Sequence, residues 1–258
     1  MQRQIRVLQY IPGFRYGGIE STTLNICKYC SKEQKISFDL LVERQKEPVS
    51  FSAFEELGCK VIHINKIDFF KPWKYFHEVK KVLLLGNYDI VHAYNITRSP
   101  ILFLAAKSIG IKVRIFHART SLTSTNRLER IIYRIFINMA TMLSTDLMAC
   151  SENAGSYFFR RKKVTILNNG IQTERFVFNQ QTRNKYHIGN NLLIGHVGRF
   201  CEAKNHEFII DIFNTILKKN AGAHLFLIGD GPLKDVIYNK VKMLGIVDNV
   251  HFIGRVDN

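Results

Sequence analysis

No stretch of this chain is long and apolar enough to cross a bilayer. The longest apolar runs, VLLL at 82–85 and ILFLAA at 101–106, fall far short of the roughly 20 residues a spanning helix needs. The opening MQRQIRVLQYIP lacks the extended apolar core of a secretory leader and runs straight into a glycine loop. A cytoplasmic protein, peripheral at most on the inner face of a membrane, is expected. Cysteines are few, scattered and odd in number: Cys27, Cys30, Cys59, Cys150 and Cys201. That pattern argues against a disulfide framework and for a reducing compartment. Cys27 and Cys30 have CxxC spacing, but no second pair follows at zinc spacing. They read as two buried thiols on one face of a helix.

Several chemistries lack their signatures. The first glycine loop is not G-x-G-x-x-G, and no GK[ST] follows it, so dinucleotide and P-loop readings are weak. There is no H-E-x-x-H and no G-x-S-x-G, which disfavours zinc hydrolysis and serine hydrolysis. Neither an RRM aromatic signature nor a zinc finger is present, which disfavours nucleic-acid recognition. No metal site is expected.

Acidic residues are also scarce, 21 against 37 basic among 258, for a net charge of +16. With 46% hydrophobic and 22% charged residues the chain has ample material for a folded core. The length suits one large domain or two ordinary ones at about 100–200 residues each. The charge is uneven. Residues 1–180 carry 27 basic and 14 acidic residues, against 10 and 7 in residues 181–258. Lys71, Lys74, Lys80, Lys81, Arg127, Arg130 and Arg134 contribute to the first excess. The plain reading is solvated helix faces; the sharper one is attraction to an anionic membrane.

Short β-branched runs alternate with longer amphipathic segments. Strands are expected at 5–11, 36–43, 60–64, 89–93, 112–118, 146–150 and 164–168. Helices are expected near 19–31, 50–57, 73–86, 98–109, 127–143 and 152–160. This is βαβ patterning, hence a parallel doubly wound sheet. After a polar stretch at 178–191 a second βαβαβ run begins, with strands in 191–200, 223–232 and 249–256 and helices at 207–220 and 233–245. The expected organisation is two Rossmann-like domains, 1–180 and 181–258.

Four features carry chemistry. GFRYGGIES places Gly17 and Gly18 before a helix, where backbone N–H groups favour phosphate; an ordinary tight turn is the alternative. GRFCEAKNH places Arg199 and Lys204 around another helix start, a diphosphate clamp or two solvated cations. VRIFHART puts His117 at a strand's carboxyl end, the ligand edge of an open α/β sheet, as a sugar contact or a satisfied loop histidine. GDGP offers Gly229 and Gly231 at the same kind of edge, or simply a turn. His92, alternating within a buried strand, reads as structural. Glu43, ending the second strand, leaves a remote nicotinamide reading.

In order, VLQYIPGFRYGGIES, YDIVHAYN, VRIFHART, ACSENAGSYFF, VTILNNGIQTERF, IGHVGRFCEAKNHEFIIDIF, LFLIGDGPLKD and VHFIGRV resemble glycosyltransferase family 4 of the GT-B fold. The likeness is strongest to bacterial enzymes of capsular and exopolysaccharide synthesis. It implies an α/β, GT-B-like chain of two Rossmann-like domains facing each other across a cleft, the second incomplete. It implies a retaining hexosyl transfer from a nucleotide sugar, UDP-linked by expectation, to a lipid-linked or polysaccharide acceptor, without metal or other cofactor. His117 would contact the donor sugar. Gly17 and Gly18 would lie beside the donor diphosphate, and Arg199 and Lys204 would neutralise it. Gly254 to Val256, with Arg255, would line the nucleotide base, and Asn169–Gly170 would enter the interdomain hinge. The family's two glutamates, with seven residues between them, would fall beyond Asn258, so a truncated and inactive form is an expectation too. The alternative is then a non-catalytic membrane- or polysaccharide-associated module. Tyr94 stands where close relatives often carry a second histidine.

Overall fold

The computed structural model describes residues 3–13, 18–31, 35–45, 50–119, 126–160, 162–177 and 191–256. The chain divides into two compact units, Met1–Arg175 and Phe176–Asn258.

The first unit is built on strands β1 (Ile5–Tyr10), β2 (Ile36–Glu43), β3 (Val61–Ile64), β4 (Ile90–Ala93), β5 (Val113–Ala118), β6 (Asp146–Ala149) and β7 (Thr165–Ile166). Its helices are α1 (Gly18–Ser31), α2 (Ser52–Glu55), α3 (Pro72–Gly86), α4 (Ser99–Ser108), α5 (Arg127–Leu143) and α6 (Glu152–Phe159). All seven strands are parallel, in the order β3-β2-β1-β4-β5-β6-β7. The order reverses between β1 and β4. In such sheets the ligand crevice opens beyond the carboxyl ends of those two strands.

Period-two alternation explains the layers. In β1 and β2, Leu8, Tyr10 and Leu41 join one core with α3, α4, α5 and α6. Val7, Phe38, Leu40 and Val42 join another with Cys27 of α1 and Phe54 of α2. Each fully buried Leu or Phe contributes about 1.5–3 kcal/mol. Helix ends follow local chemistry. Pro72 begins α3 and Asn87 ends it at φ 48°. The Asn126 side chain accepts from Leu128 N at 2.9 Å to start α5, and Ser151 accepts from Ala154 N to start α6.

The second unit holds β8 (Leu193–Val197), β9 (His224–Ile228) and β10 (Val250–Gly254), parallel in the order β10-β9-β8. Helices α7 (His206–Lys219) and α8 (Lys234–Met243) connect them. Ile210 and Phe213 of α7 and Ile237 and Val241 of α8 close its core over Leu225, Leu227 and Val250. This is the α/β architecture of two parallel, helix-covered sheets.

Candidate active site

Gln9, His92, Tyr94 and His117 belong to strand positions, or their immediate continuation, that face α1. Gln9 is paired with His92 across β1 and β4, and all four are buried. A buried polar group needs a partner, and these four supply one another. Tyr94 Oη donates to Gln9 Oε1 at 2.9 Å and lies 3.4 Å from His92 Nδ1. His92 Nε2 is 3.1 Å from His117 Nδ1, with the two rings stacked 2° from parallel at 5.3 Å.

Counting protons along this row sets its direction. Tyr94 spends its one hydroxyl proton on Gln9, so its oxygen accepts from His92 Nδ1–H. His92 Nε2 then carries a lone pair and accepts from His117 Nδ1–H. His117 Nε2 is left as a lone pair, and that atom is buried with no partner among the described residues. The row requires both rings neutral. Burial, the His117 ring and the Arg119 guanidinium hold His92 well below its ordinary range. Burial and Arg119 push His117 down to about 3.

Arg119 lies two residues past His117, its guanidinium 5.8 Å above the Tyr94 ring. One of its terminal nitrogens reaches to 3.5 Å from Gly18 O. The other is buried without a partner among the described residues. The carboxyl edge of β5 therefore presents an acceptor nitrogen and a cationic donor side by side. The expectation named only His117. Strand alternation, two residues on, was the available signal for Arg119. His92 is buried as alternation predicts, yet it also supports the site ring.

Gly18 begins α1, and a Cβ placed on it would meet nothing within 4 Å. Gly17 lies outside the described residues. Glu43, the residue behind the remote nicotinamide reading, is engaged elsewhere. Its carboxylate accepts from Tyr75 Oη at 3.1 Å and from Tyr10 Oη, and pairs with Arg98 at 3.2 Å.

In the second unit the named residues also lie at the carboxyl edge of their sheet. Arg199 and Lys204 bracket a short turn after β8, both exposed. Neither forms an ion pair among the described residues. The Lys204 stem packs over Gly198. Beside it, His206 stacks on Phe200 at 4.2 Å and meets His196 edge-on at 4.9 Å. Burial, with Lys204 nearby, lowers both imidazoles. Sequence reading passed over these two histidines, which have no ligand spacing.

Gly229 and Gly231 have a packing reason of their own. A Cβ on Gly229 would fall 2.2 Å from Gly198 O, and one on Gly231 2.5 Å from Phe200 O. Gly198 N donates to Ile228 O at 2.9 Å and Phe200 N to Asp230 O at 3.0 Å. The two loops are thus laced backbone to backbone. Gly229 N donates to Gly254 O at 2.8 Å, which brings the start of the Arg255 segment to the same edge.

None of the five cysteines, all of them among the described residues, forms a disulfide. Among the described residues no helix is long and apolar enough to cross a membrane. No group of three His, Cys, Asp or Glu there is arranged to hold a metal ion.

Residues 178–258 match the family model described as glycosyl transferases group 1. The chain is 29% identical to the putative glycosyltransferase EpsF of Bacillus subtilis (strain 168), over 97% of its own length and 68% of that protein's. It is 24% identical to the capsular polysaccharide biosynthesis glycosyltransferase CapH of Staphylococcus aureus, over 98% of the chain and 71% of the relative. Among solved structures, Anabaena HepE in complex with UDP and glucose superposes with a TM-score of 0.78 at 18% identity, covering 98% of this chain and 70% of that one. That structural likeness bears on the fold.

Proposed function

We propose that the chain, whose residues 178–258 match the glycosyl transferases group 1 model, is a family 4 glycosyltransferase of GT-B fold that moves a hexosyl group from a UDP-sugar to a lipid-linked or polysaccharide acceptor with retention of configuration. The observation that carries this reading is His117: a buried, neutral imidazole whose Nε2 has no partner among the described residues, at the carboxyl edge of β5.

Transfer breaks an anomeric C–O bond. Positive charge grows on the sugar and negative charge on the departing diphosphate. A neutral His117 accepts a hydrogen bond from a donor-sugar hydroxyl without adding repulsion to an oxocarbenium-like centre. Arg119 adds a donor beside it. In the second unit, Arg199 and Lys204 meet the diphosphate, the first as a fork and the second as a point charge. The dipole at the start of α7 acts in the same sense. Gly18 permits close approach of phosphate to the α1 terminus, and the Gly254–Val256 backbone with Arg255 lines the base.

Calorimetry with a panel of nucleotide sugars against the full chain tests the reading. Binding of UDP-sugars and UDP that weakens on Arg199→Ala and Lys204→Ala supports it. Absence of binding to every nucleotide sugar overturns it for this polypeptide.

A further inference from the structure

The turn from β3 into α3 carries three large aromatics in five residues. Phe69 is 54% exposed, Phe70 91% and Trp73 56%. Single exposed apolar side chains are ordinary, whereas a clustered aromatic tip marks an interaction surface. The core-facing side of α3 is already filled by Tyr75, Val79 and Leu83. The backbone then holds the tip outward. Phe70 N donates to Asp68 Oδ1 at 2.9 Å, Lys71 N donates to Asp68 O at 3.0 Å, and Pro72 opens the helix.

Lysines outnumber carboxylates around the tip. Lys66, Lys71 and Lys74 line a concavity with Asn65, Asp68, Tyr75 and Glu78. Both acidic groups there are engaged. The Asp68 carboxylate caps the turn, and the Glu78 carboxylate accepts from the Asn65 backbone and side chain at 3.1–3.3 Å. None of the three ammonium groups pairs with a carboxylate among the described residues.

We propose that this turn seats the first unit on an anionic bilayer, with Phe69, Phe70 and Trp73 at interfacial depth and Lys66, Lys71 and Lys74 against lipid phosphates. Aromatic rings favour the headgroup level, and clustered lysines favour anionic lipid. A second copy of the chain is a poorer occupant, because a two-fold contact would set lysines against lysines. The strands are all parallel, so the turn after β3 and His117 at the end of β5 share one edge. Four strand spacings separate β3 from β5, about 19 Å. A lipid-borne acceptor would then be presented on the edge that carries His117. That consequence rests on the transferase reading; the bilayer contact does not.

Trp73 is the only tryptophan, so its emission reports this tip alone. The full chain is titrated with equimolar phosphatidylglycerol–phosphatidylcholine vesicles and with pure phosphatidylcholine vesicles. The expected result is a blue shift and quenching by acyl-brominated lipid with the anionic vesicles, reversed by salt and by Phe70→Ser. Lys71→Ala with Lys74→Ala weakens partitioning about thirtyfold. Ile135→Ser, on the exposed apolar stripe of α5, leaves it unchanged. Far-UV spectra confirm that each variant is folded. An unshifted, unquenched Trp73, equal response to neutral vesicles, or loss with Ile135→Ser but not Phe70→Ser overturns the proposal. UDP-sugar calorimetry reads the second unit independently of Trp73, so the two readings fail separately.

Discussion

His92 Nε2 lies 3.1 Å from His117 Nδ1, and their rings are 2° from parallel. That contact ties the buried, unpartnered Nε2 of His117 to Tyr94 and Gln9 through one hydrogen-bonded row among the described residues. The proton order along the row makes His117 an acceptor toward any ligand.

Two-bond nitrogen–proton correlation spectra of the histidine rings measure this directly. His92 and His117 should both appear as Nδ1–H tautomers near neutral pH. Tyr94→Phe removes the oxygen that receives the His92 Nδ1 proton, so a second His117 tautomer should appear. Donor affinity should fall about three- to tenfold, the scale of one neutral hydrogen bond. An Nε2–H tautomer of His117 in the unaltered chain would reverse the assigned direction.

The same pair makes stability depend on pH. Burial holds His117 down to about 3 and His92 well below its ordinary range. Between roughly pH 3 and 6.5 the unfolded chain therefore binds more protons than the folded one, so unfolding free energy rises with pH. The contribution is complete above 6.5 and is lost as pH falls toward 3, up to about 4 kcal/mol for His117 alone. In urea titrations across this window, the unfolding free energy of the unaltered chain should rise with pH more steeply than that of His117→Asn. Parallel pH profiles would count against the buried neutral state.

Much of the fold was legible because alternation and turn chemistry are local. The strand at 36–43 lies where VAL-, ILE- and LEU-rich alternation puts it, and helix 127–143 matches its apolar spacing. The shortfalls are local too. The run 164–168 pairs only at Thr165–Ile166, because β7 is an edge strand with a single neighbour and exposed side chains. The expected helix at 50–57 is reduced to Ser52–Glu55, ended by Gly58 at φ 80°. Cross-strand relations were beyond reach. Gln9, His92 and His117 are remote in sequence, and only the reversal of strand order between β1 and β4 makes them neighbours. The packing of Gly229 on Gly198 is equally non-local.

Two glycines separate packing from ligand approach. At Gly229 the backbone has φ 138°, and an added Cβ would strike Gly198 O at 2.2 Å. Gly229→Ala should destabilise the chain by about 1–3 kcal/mol, read as a lower urea midpoint. At Gly18 there is open space, so Gly18→Ala should change stability by less than about 0.5 kcal/mol. If α1 meets the donor diphosphate, that same substitution weakens UDP binding while the melting curve stays in place. Unchanged UDP affinity would remove Gly18 from the site.

Arg199 and Lys204 supply the last contrast. Both are exposed cations without carboxylate partners among the described residues, so truncating either leaves no buried charge behind and should barely alter stability. A diphosphate between them would be bound by charge-assisted hydrogen bonds, each worth about 1.5–3 kcal/mol. Arg199→Ala and Lys204→Ala should therefore each weaken UDP affinity roughly ten- to a hundredfold. Arg199→Lys should recover only part of the loss, because an ammonium cannot reproduce the guanidinium fork. Raising salt should weaken UDP binding less in the double variant than in the unaltered chain, since fewer site charges remain to be screened. Calorimetry of UDP at two ionic strengths reads all three outcomes; equal affinities across the set would show that these cations are only solvated loop residues.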